Sequence, residues 1–172
     1  IEATEVTSDL IDVMAENRHK VCAHLHVCLQ SGSDSVLRRM RRRWSVQHIV
    51  DRCELLKERL DRPALTTDVI VGFPGETETE FGALLDFVRQ VRFDHVGVFT
   101  YSHEEDTTAH DLADDIPEQT KEERRVAVME LQAEIVAEKN RERVGSTVEV
   151  LLEGVHPETE HLLIGRTAGQ SQ

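Results

Sequence analysis

The chain has 172 residues, 39% of them hydrophobic, and a formal net charge of −13 from 33 acidic against 20 basic side chains. That length and apolar content permit a packed domain plus part of another and exclude wholesale disorder. No apolar run approaches the roughly 18 residues of a membrane span, and the acidic balance disfavours a broad phosphate-binding face while suiting a basic partner or plain solubility.

The N-terminus has no initiating Met and no signal-like segment, so the chain is expected to begin inside a longer protein. A short helix is expected within residues 1–20, capped by Thr7 or Ser8, with Leu10, Ile11 and Met14 as its apolar stripe. A strand follows at about 22–30. Leu25, Val27 and Leu29 share one face and His24, His26, Cys28 and Gln30 the other. An apolar outer and a polar inner face suit a barrel strand covered by helices outside and lining a ligand lumen inside.

Gln30-Ser31-Gly32-Ser33-Asp34 then turns into a helix with Val36, Leu37 and Met40 on one side. Ser45 caps the next helix, whose core positions are Ile49, Cys53, Leu56 and Leu60. Pro63 precedes a strand over 64–72, with Thr66, Asp68, Ile70 and Gly72 on one face and Leu65, Thr67, Val69 and Val71 on the other. Branched residues on both faces mark a parallel-sheet strand. Residues 66–77 run from this strand through Gly72-Phe73-Pro74-Gly75 into a helix capped by the Thr77–Glu80 box. Such a turn offers free N–H groups at a strand's carboxyl end, where α/β proteins bind ligands, or it is a plain connection. It is not a P-loop, because no Lys-Ser/Thr follows the glycines.

Phe81, Leu84, Leu85 and Val88 form the next helical stripe, and a strand at 95–101 sets His95, Gly97, Phe99 and Tyr101 against Val96, Val98 and Thr100. Alternating strands and helices predict parallel strands with right-handed crossovers. Three strands cannot close a barrel, so half of one is expected. Residues 102–118 are polar and acidic, a loop leaving the barrel. A long helix over about 118–143 carries Val128, Leu131 and Ile135, and Val144-Gly145 closes it. Strands at 146–153 and 161–165 then begin a small all-β module. Cys22, Cys28 and Cys53 have no C-x-x-C spacing, so neither a disulfide framework nor a metal site is supported, and a reducing, cytoplasmic setting fits.

Taken in order, His24-Leu25-His26, Leu29-Gln30-Ser31-Gly32-Ser33-Asp34, Met40-x-Arg42, Thr67-Asp68-x-Ile70-Val71-Gly72-Phe73-Pro74-Gly75-Glu76-Thr77 and Tyr101-Ser102 resemble the radical S-adenosylmethionine (SAM) methylthiotransferases over almost the whole chain. The resemblance implies an α/β fold: residues 1–116 as the second half of a radical SAM partial (β/α) TIM-like barrel, 117–143 as a linking helix, and 144–172 as the start of a β-rich TRAM module. It implies SAM and [4Fe-4S] clusters as cofactors, the latter on ligands outside this chain. The Cys-x-x-x-Cys-x-x-Cys loop of the family is absent, and spacings of five and 24 residues between the cysteines cannot replace it. This stretch alone is therefore expected to be inactive. The implied chemistry is reductive cleavage of SAM, hydrogen abstraction from an unactivated carbon, and insertion of sulfur and methyl.

By the same resemblance, eight residues are assigned to SAM. Gln30 and Ser31 bond its ribose or carboxylate, or else only hold a turn. Gly72 allows close approach to adenine or serves a tight turn with positive φ, while Ile70 and Phe73 give apolar contact. Tyr101 and Ser102 pass the adenine, with a core role open for Tyr101. Arg42, within the basic run from Arg38 to Arg43, meets the SAM carboxylate or RNA phosphate, or is a solvated helix face. Glu76 is assigned to the first turn of its helix. His24 and His26 either bond within the lumen or ligate a metal.

Within the family the front half, from Val21 to His26, is similar to the MtaB type. The rear half is similar to the RimO type through Val96 to Glu105, Ala109, Asp114-Asp115, Pro117 and Lys121 to Arg124. An acid at Glu104, where tRNA-modifying members carry a base, favours an aspartate of a small-subunit ribosomal protein as substrate, although Asp106 departs from the usual Gly. The alternatives are an adenosine beside the anticodon of tRNA, as for the MiaB and MtaB types, and a non-catalytic RNA- or ribosome-binding module. A monomer without membrane contact is expected.

Overall fold

The computed structural model describes residues 1–169 and is built around a parallel sheet of order β1-β2-β3. The strands are β1 (His24–His26), β2 (Ala64–Val71) and β3 (His95–Thr100). Leu25 pairs with Leu65, and Val69 with Val98. Leu25, Val27 and Leu29 are buried under the helices, while His24, His26, Cys28 and Gln30 face the open concave side. The alternation in the sequence thus becomes an inside and an outside.

The strand expected over 22–30 keeps a regular ladder for only three residues. The reason is Thr67, whose Oγ1 donates to the Val27 carbonyl at 2.7 Å and accepts from Leu29 N at 3.1 Å. A side chain thereby substitutes for ladder bonds, and pairing resumes at a single Gln30–Val69 bridge. On the outer edge of β1, Cys28 N donates to the Ile1 carbonyl and the Ile1 ammonium donates to the His26 carbonyl.

Helices α1 (Ser8–Glu16), α2 (Asp34–Arg39), α3 (Val46–Arg59) and α4 (Glu78–Val91) cover the outer face. Thr7 and Ser45 cap α1 and α3, and the reciprocal Thr77–Glu80 box caps α4. Val36 and Leu37, expected on one side of α2, enter different clusters: Leu37 joins the main core, and Val36 packs with Phe73 and Tyr101. At the other end of α4, Lys57 and Lys139 donate to the Val91 and Arg92 carbonyls, placing cations at a helix C-terminus.

The helix expected as a link, α5 (Glu118–Arg143), packs against α4 and β3. Val128, Leu131 and Ile135 are buried, and so are Lys121, Arg124 and Gln132. Strands β4 (Leu151–His156) and β5 (Thr159–Arg166) form an antiparallel hairpin closed by Pro157-Glu158. The first of them starts at Leu151 rather than Ser146, because the ladder ends at the Leu151–Arg166 pair and leaves 146–150 without a partner strand among the described residues. The last three positions of the expected β-module lie outside the described residues.

Candidate functional site

At the carboxyl ends of the three strands lies a cavity of about 500 Å³. Gln30 closes one side, Ile70 and Asp68 project from β2, and Phe99 and Thr100 come from β3. Phe73 and Tyr101 stack edge to face at 5.2 Å beneath it. The loop after β3 adds Ser102, Glu104, Thr107, Thr108 and Ala109, and Arg39, Met40 and Arg42 enter from the end of α2. Gln30 holds φ at +74°, a left-handed conformation unusual for a side-chain-bearing residue. It does so while its N–H donates to the Asp68 carbonyl and its own carbonyl accepts from Ile70 N.

The two arginines differ. Arg39 forms a bidentate pair with Glu80, at 3.0 Å through both Nη atoms, and Ser35 also donates to that carboxylate. The Arg39 hydrogen bonds, working against burial, push the Glu80 carboxyl down to about 2. Arg42 lies with its guanidinium carbon 5.6 Å from the Trp44 ring, and its buried Nε has no partner among the described residues. An orphaned buried donor beside a cavity is a place for a ligand acceptor.

Six of the eight expected site residues line this cavity: Gln30, Arg42, Ile70, Phe73, Tyr101 and Ser102. Ser31 and Gly72 do not. The Ser31 hydroxyl is fully buried and accepts from Ser33 N, the turn bond. Gly72 has φ +73°, and the space where a side chain would project is filled by the Lys121 stem. Tyr101 Oη donates to the Ala109 carbonyl, which ties the loop to the strand end. Burial first, and the Asp114 carboxylate next, raise the Tyr101 pKa.

Glu76 turns away from its helix. Its carboxylate accepts from Gly72 N at 2.7 Å and pairs with Arg124 at 2.9 Å, so it joins the strand-end turn to α5. Burial raises its pKa, partly offset by those two donors. Lys121, buried beside it, pairs with Asp114 at 2.7 Å and Glu118 at 2.6 Å; burial opposes its charge, but these partners outweigh that and raise its pKa. Lys121 and Arg124 were missed as site-supporting residues. Continuation of the α5 stripe toward the helix N-terminus was the available signal. His24 and His26 both bond to the Thr66 hydroxyl within the lumen, at 3.3 and 3.1 Å.

The sequence model of the Radical SAM superfamily matches residues 1–88. The chain belongs to that superfamily. A ribosomal protein uS12 methylthiotransferase of Pelobacter propionicus is 43% identical over 95% of this chain, which corresponds to 36% of that protein. A tRNA-2-methylthio-N(6)-dimethylallyladenosine synthase of Carboxydothermus hydrogenoformans is 39% identical, covering 95% of this chain and 37% of its own length. A uS12 methylthiotransferase of Heliobacterium modesticaldum is 48% identical over 86% of the chain and 32% of its own length. The chain thus spans about a third of the length of these curated relatives. Among solved structures, the radical SAM enzyme coproporphyrinogen III oxidase (HemN) of Escherichia coli superposes with a TM-score of 0.59 at 20% identity, over 80% of this chain and 31% of that one. The fold is therefore the parallel α/β arrangement of radical SAM partial barrels.

The superfamily generally uses SAM and iron–sulfur clusters. The cavity fits the first: apolar Ile70 and Phe73 suit a flat base, and the unpartnered Arg42 Nε suits a carboxylate. The described residues do not fit the second. Among the described residues no three His, Cys, Asp or Glu side chains converge, and Cys22, Cys28 and Cys53 are respectively exposed, half-buried and buried. No helix among them is long and apolar enough to cross a membrane.

Proposed function

We propose that this chain is the SAM-binding part of a cytoplasmic radical SAM methylthiotransferase that modifies an aspartate of a small-subunit ribosomal protein. The observation that carries the reading is the strand-end cavity, where apolar Ile70, Phe73 and Tyr101 meet Arg42, whose buried Nε has no partner among the described residues. Bound SAM, with a cluster held outside these residues, supplies radical and methyl-transfer chemistry. The protein's own part is positioning. Arg42 holds the carboxylate, Gln30 the ribose, and Ile70 and Phe73 the adenine, while Tyr101 and Ser102 fix the loop that excludes water. Residues 1–116 act as the barrel part, 117–143 join it to the next module, and 144–172 begin a TRAM module.

The protein substrate is favoured by Glu104, which lines the cavity mouth and accepts from Ser102 Oγ at 2.5 Å. An acid there repels phosphate, and the net charge of −13 attracts a basic ribosomal protein. A tRNA substrate is the second reading, supported by exposed Arg38, Arg41 and Arg43 beside the mouth and by the tRNA-modifying relative. The test is mass spectrometry on the intact protein with reconstituted clusters, offered SAM with either the small-subunit ribosomal protein or tRNA. Methylthio addition to the protein is expected; addition to tRNA alone would overturn the preference, and addition to neither would overturn the reaction.

A further inference from the structure

The concave face of the sheet carries a row of polar groups that begins in the cavity and runs away from it. Asp68, at the cavity floor, sets a carboxylate oxygen 3.5 Å from His26 Nε2. His26 Nδ1 lies 3.1 Å from Thr66 Oγ1, and the same hydroxyl lies 3.3 Å from His24 Nε2. His24 in turn lines a separate groove at the opposite end of the strands, with Cys22, Val150 and Arg166. So carboxylate, imidazole, hydroxyl and imidazole follow one another at 3.1–3.5 Å from the cavity to a second opening.

The direction of the bonds follows from the groups. With the His26 ring neutral, a hydrogen kept on Nε2 is on the side of the Asp68 carboxylate, 3.5 Å away, and Nδ1 is free to accept. In that neutral state Thr66 donates to Nδ1 and its oxygen accepts from His24 Nε2–H; with His26 protonated both bonds reverse, Nδ1–H donating to Thr66 and Thr66 donating to His24 Nε2. The carboxylate also sits against the backbone of β3. A side chain at Gly97, the β3 residue opposite Asp68, would meet the Asp68 carboxylate oxygen as it now stands, so the absence of one there leaves that position open to the carboxylate. Nor is Asp68 a buried brace, since its side chain is 40% exposed and that of His26 is 42% exposed. The other titratable or charged groups facing this row are Cys28 just after β1, His95 opposite Thr66 on β3, the cavity's Arg39, Arg42 and Glu104, and, beside His24 at the far groove, Cys22, Glu149 and Arg166.

We infer that Asp68, His26, Thr66 and His24 form a proton relay, through which a cationic ligand entering the cavity expels a proton from the Asp68–His26 pair. A positive charge near Asp68 replaces the imidazolium as its counter-charge and so disfavours the protonated ring. The proton on His26 Nδ1 passes to Thr66 Oγ1 as the Thr66 proton passes to His24 Nε2. His24 then releases its Nδ1 proton to water at the far groove. One proton moves and no electrons do. Asp68 is thus the group that senses ligand charge, and His26, Thr66 and His24 are positioning and conducting residues.

This inference rests on reading the cavity as a SAM site, and the experiment separates the two. Calorimetric titration of the intact protein in buffers of different ionisation heat is carried out between pH 5.5 and 7.5, the range where imidazoles exchange protons. The probes are SAM, whose sulfonium is cationic, and S-adenosylhomocysteine, which lacks that charge. Release of up to one proton is expected with SAM and none with S-adenosylhomocysteine. His26→Gln and Asp68→Asn should abolish the release, with S-adenosylhomocysteine binding reporting an intact cavity. In the unsubstituted protein, histidine NMR should show that SAM shifts the His24 titration, and Thr66→Val should remove that shift. Binding of neither probe would overturn the cavity reading and the inference together. Binding of both without proton release, release with both, or release unchanged in His26→Gln would overturn the inference alone.

Discussion

Substituting Gly72→Ala separates two roles for the glycine at the end of β2. If it contacts adenine, the substitution should weaken SAM binding; if it makes room for Lys121, it should destabilise the fold. The structure favours the second. At φ +73° an alanine is strained by about 1–2 kcal/mol. Its Cβ would also lie 3.1 Å from both Cβ and Cδ of Lys121 and closer still to Cγ. That stem cannot swing away, because its ammonium is held by Asp114 and Glu118. Overpacking of this kind costs about 1–3 kcal/mol, so the sum is about 3 kcal/mol. For a domain of this size that corresponds to a melting shift of roughly 6–12 °C. A double-mutant cycle with Lys121→Ala isolates the clash: the double variant should be less destabilised than the two singles added, by about 1–3 kcal/mol. Thermal unfolding and SAM titration are read side by side. A stability change below about 0.5 kcal/mol, or strict additivity, would refute the packing argument. A tenfold loss of SAM affinity at unchanged stability would restore the adenine contact.

Glu80, held at about 2 by Arg39, stabilises the fold above the ordinary carboxylate value, and that contribution is lost as pH falls from about 4.5 toward 2. It is on the order of 2–3 kcal/mol, so urea midpoints of the parent protein should converge on those of Glu80→Gln as acid is added; parallel curves would sink the assignment. Glu76 has the opposite sign, because its raised pKa means that the folded state increasingly resists its ionisation as pH rises past 4.5. Arg124→Met strands that anion and should cost about 3–5 kcal/mol at neutral pH, less near pH 4, with part recovered by adding Glu76→Gln; a pH-independent cost would contradict this. Arg42→Ala should weaken SAM binding about 10- to 100-fold through loss of a charged hydrogen bond, whereas Arg39→Ala should chiefly lower stability by unpairing Glu80. Equal effects of the two on affinity would erase the distinction drawn between them.

What the sequence shows about this site depends on how far apart the interacting residues are. Leu25 to Gln30 alternate along one extended segment, and Thr77 and Glu80 lie within one helical turn, so their faces and bonds follow from local periodicity. The cavity lining was legible for the same reason: Gln30, Ile70 and Tyr101 each end an inward-facing row, and parallel strands bring such ends to one rim. Arg124 meets Glu76 across 48 positions, and Lys121 meets Gly72 only because α5 folds back over the sheet. In a linear reading those cations look like the solvated face of a charged helix. Their positions nevertheless continue the buried stripe: from Arg124 to Val128 is four residues, and from Val128 to Leu131 and on to Ile135 three and four. A helix whose apolar stripe runs into Lys and Arg is burying stems and pairing heads, and here those heads meet Glu76, which accepts from Gly72 N, and Asp114, while Lys121 also donates to the carbonyl of the cavity residue Tyr101. Helix α5 therefore fixes the rim of the site as well as joining it to the hairpin that follows. A substitution on its buried cations should reach the cavity through Gly72 and Tyr101 before it reaches the hairpin.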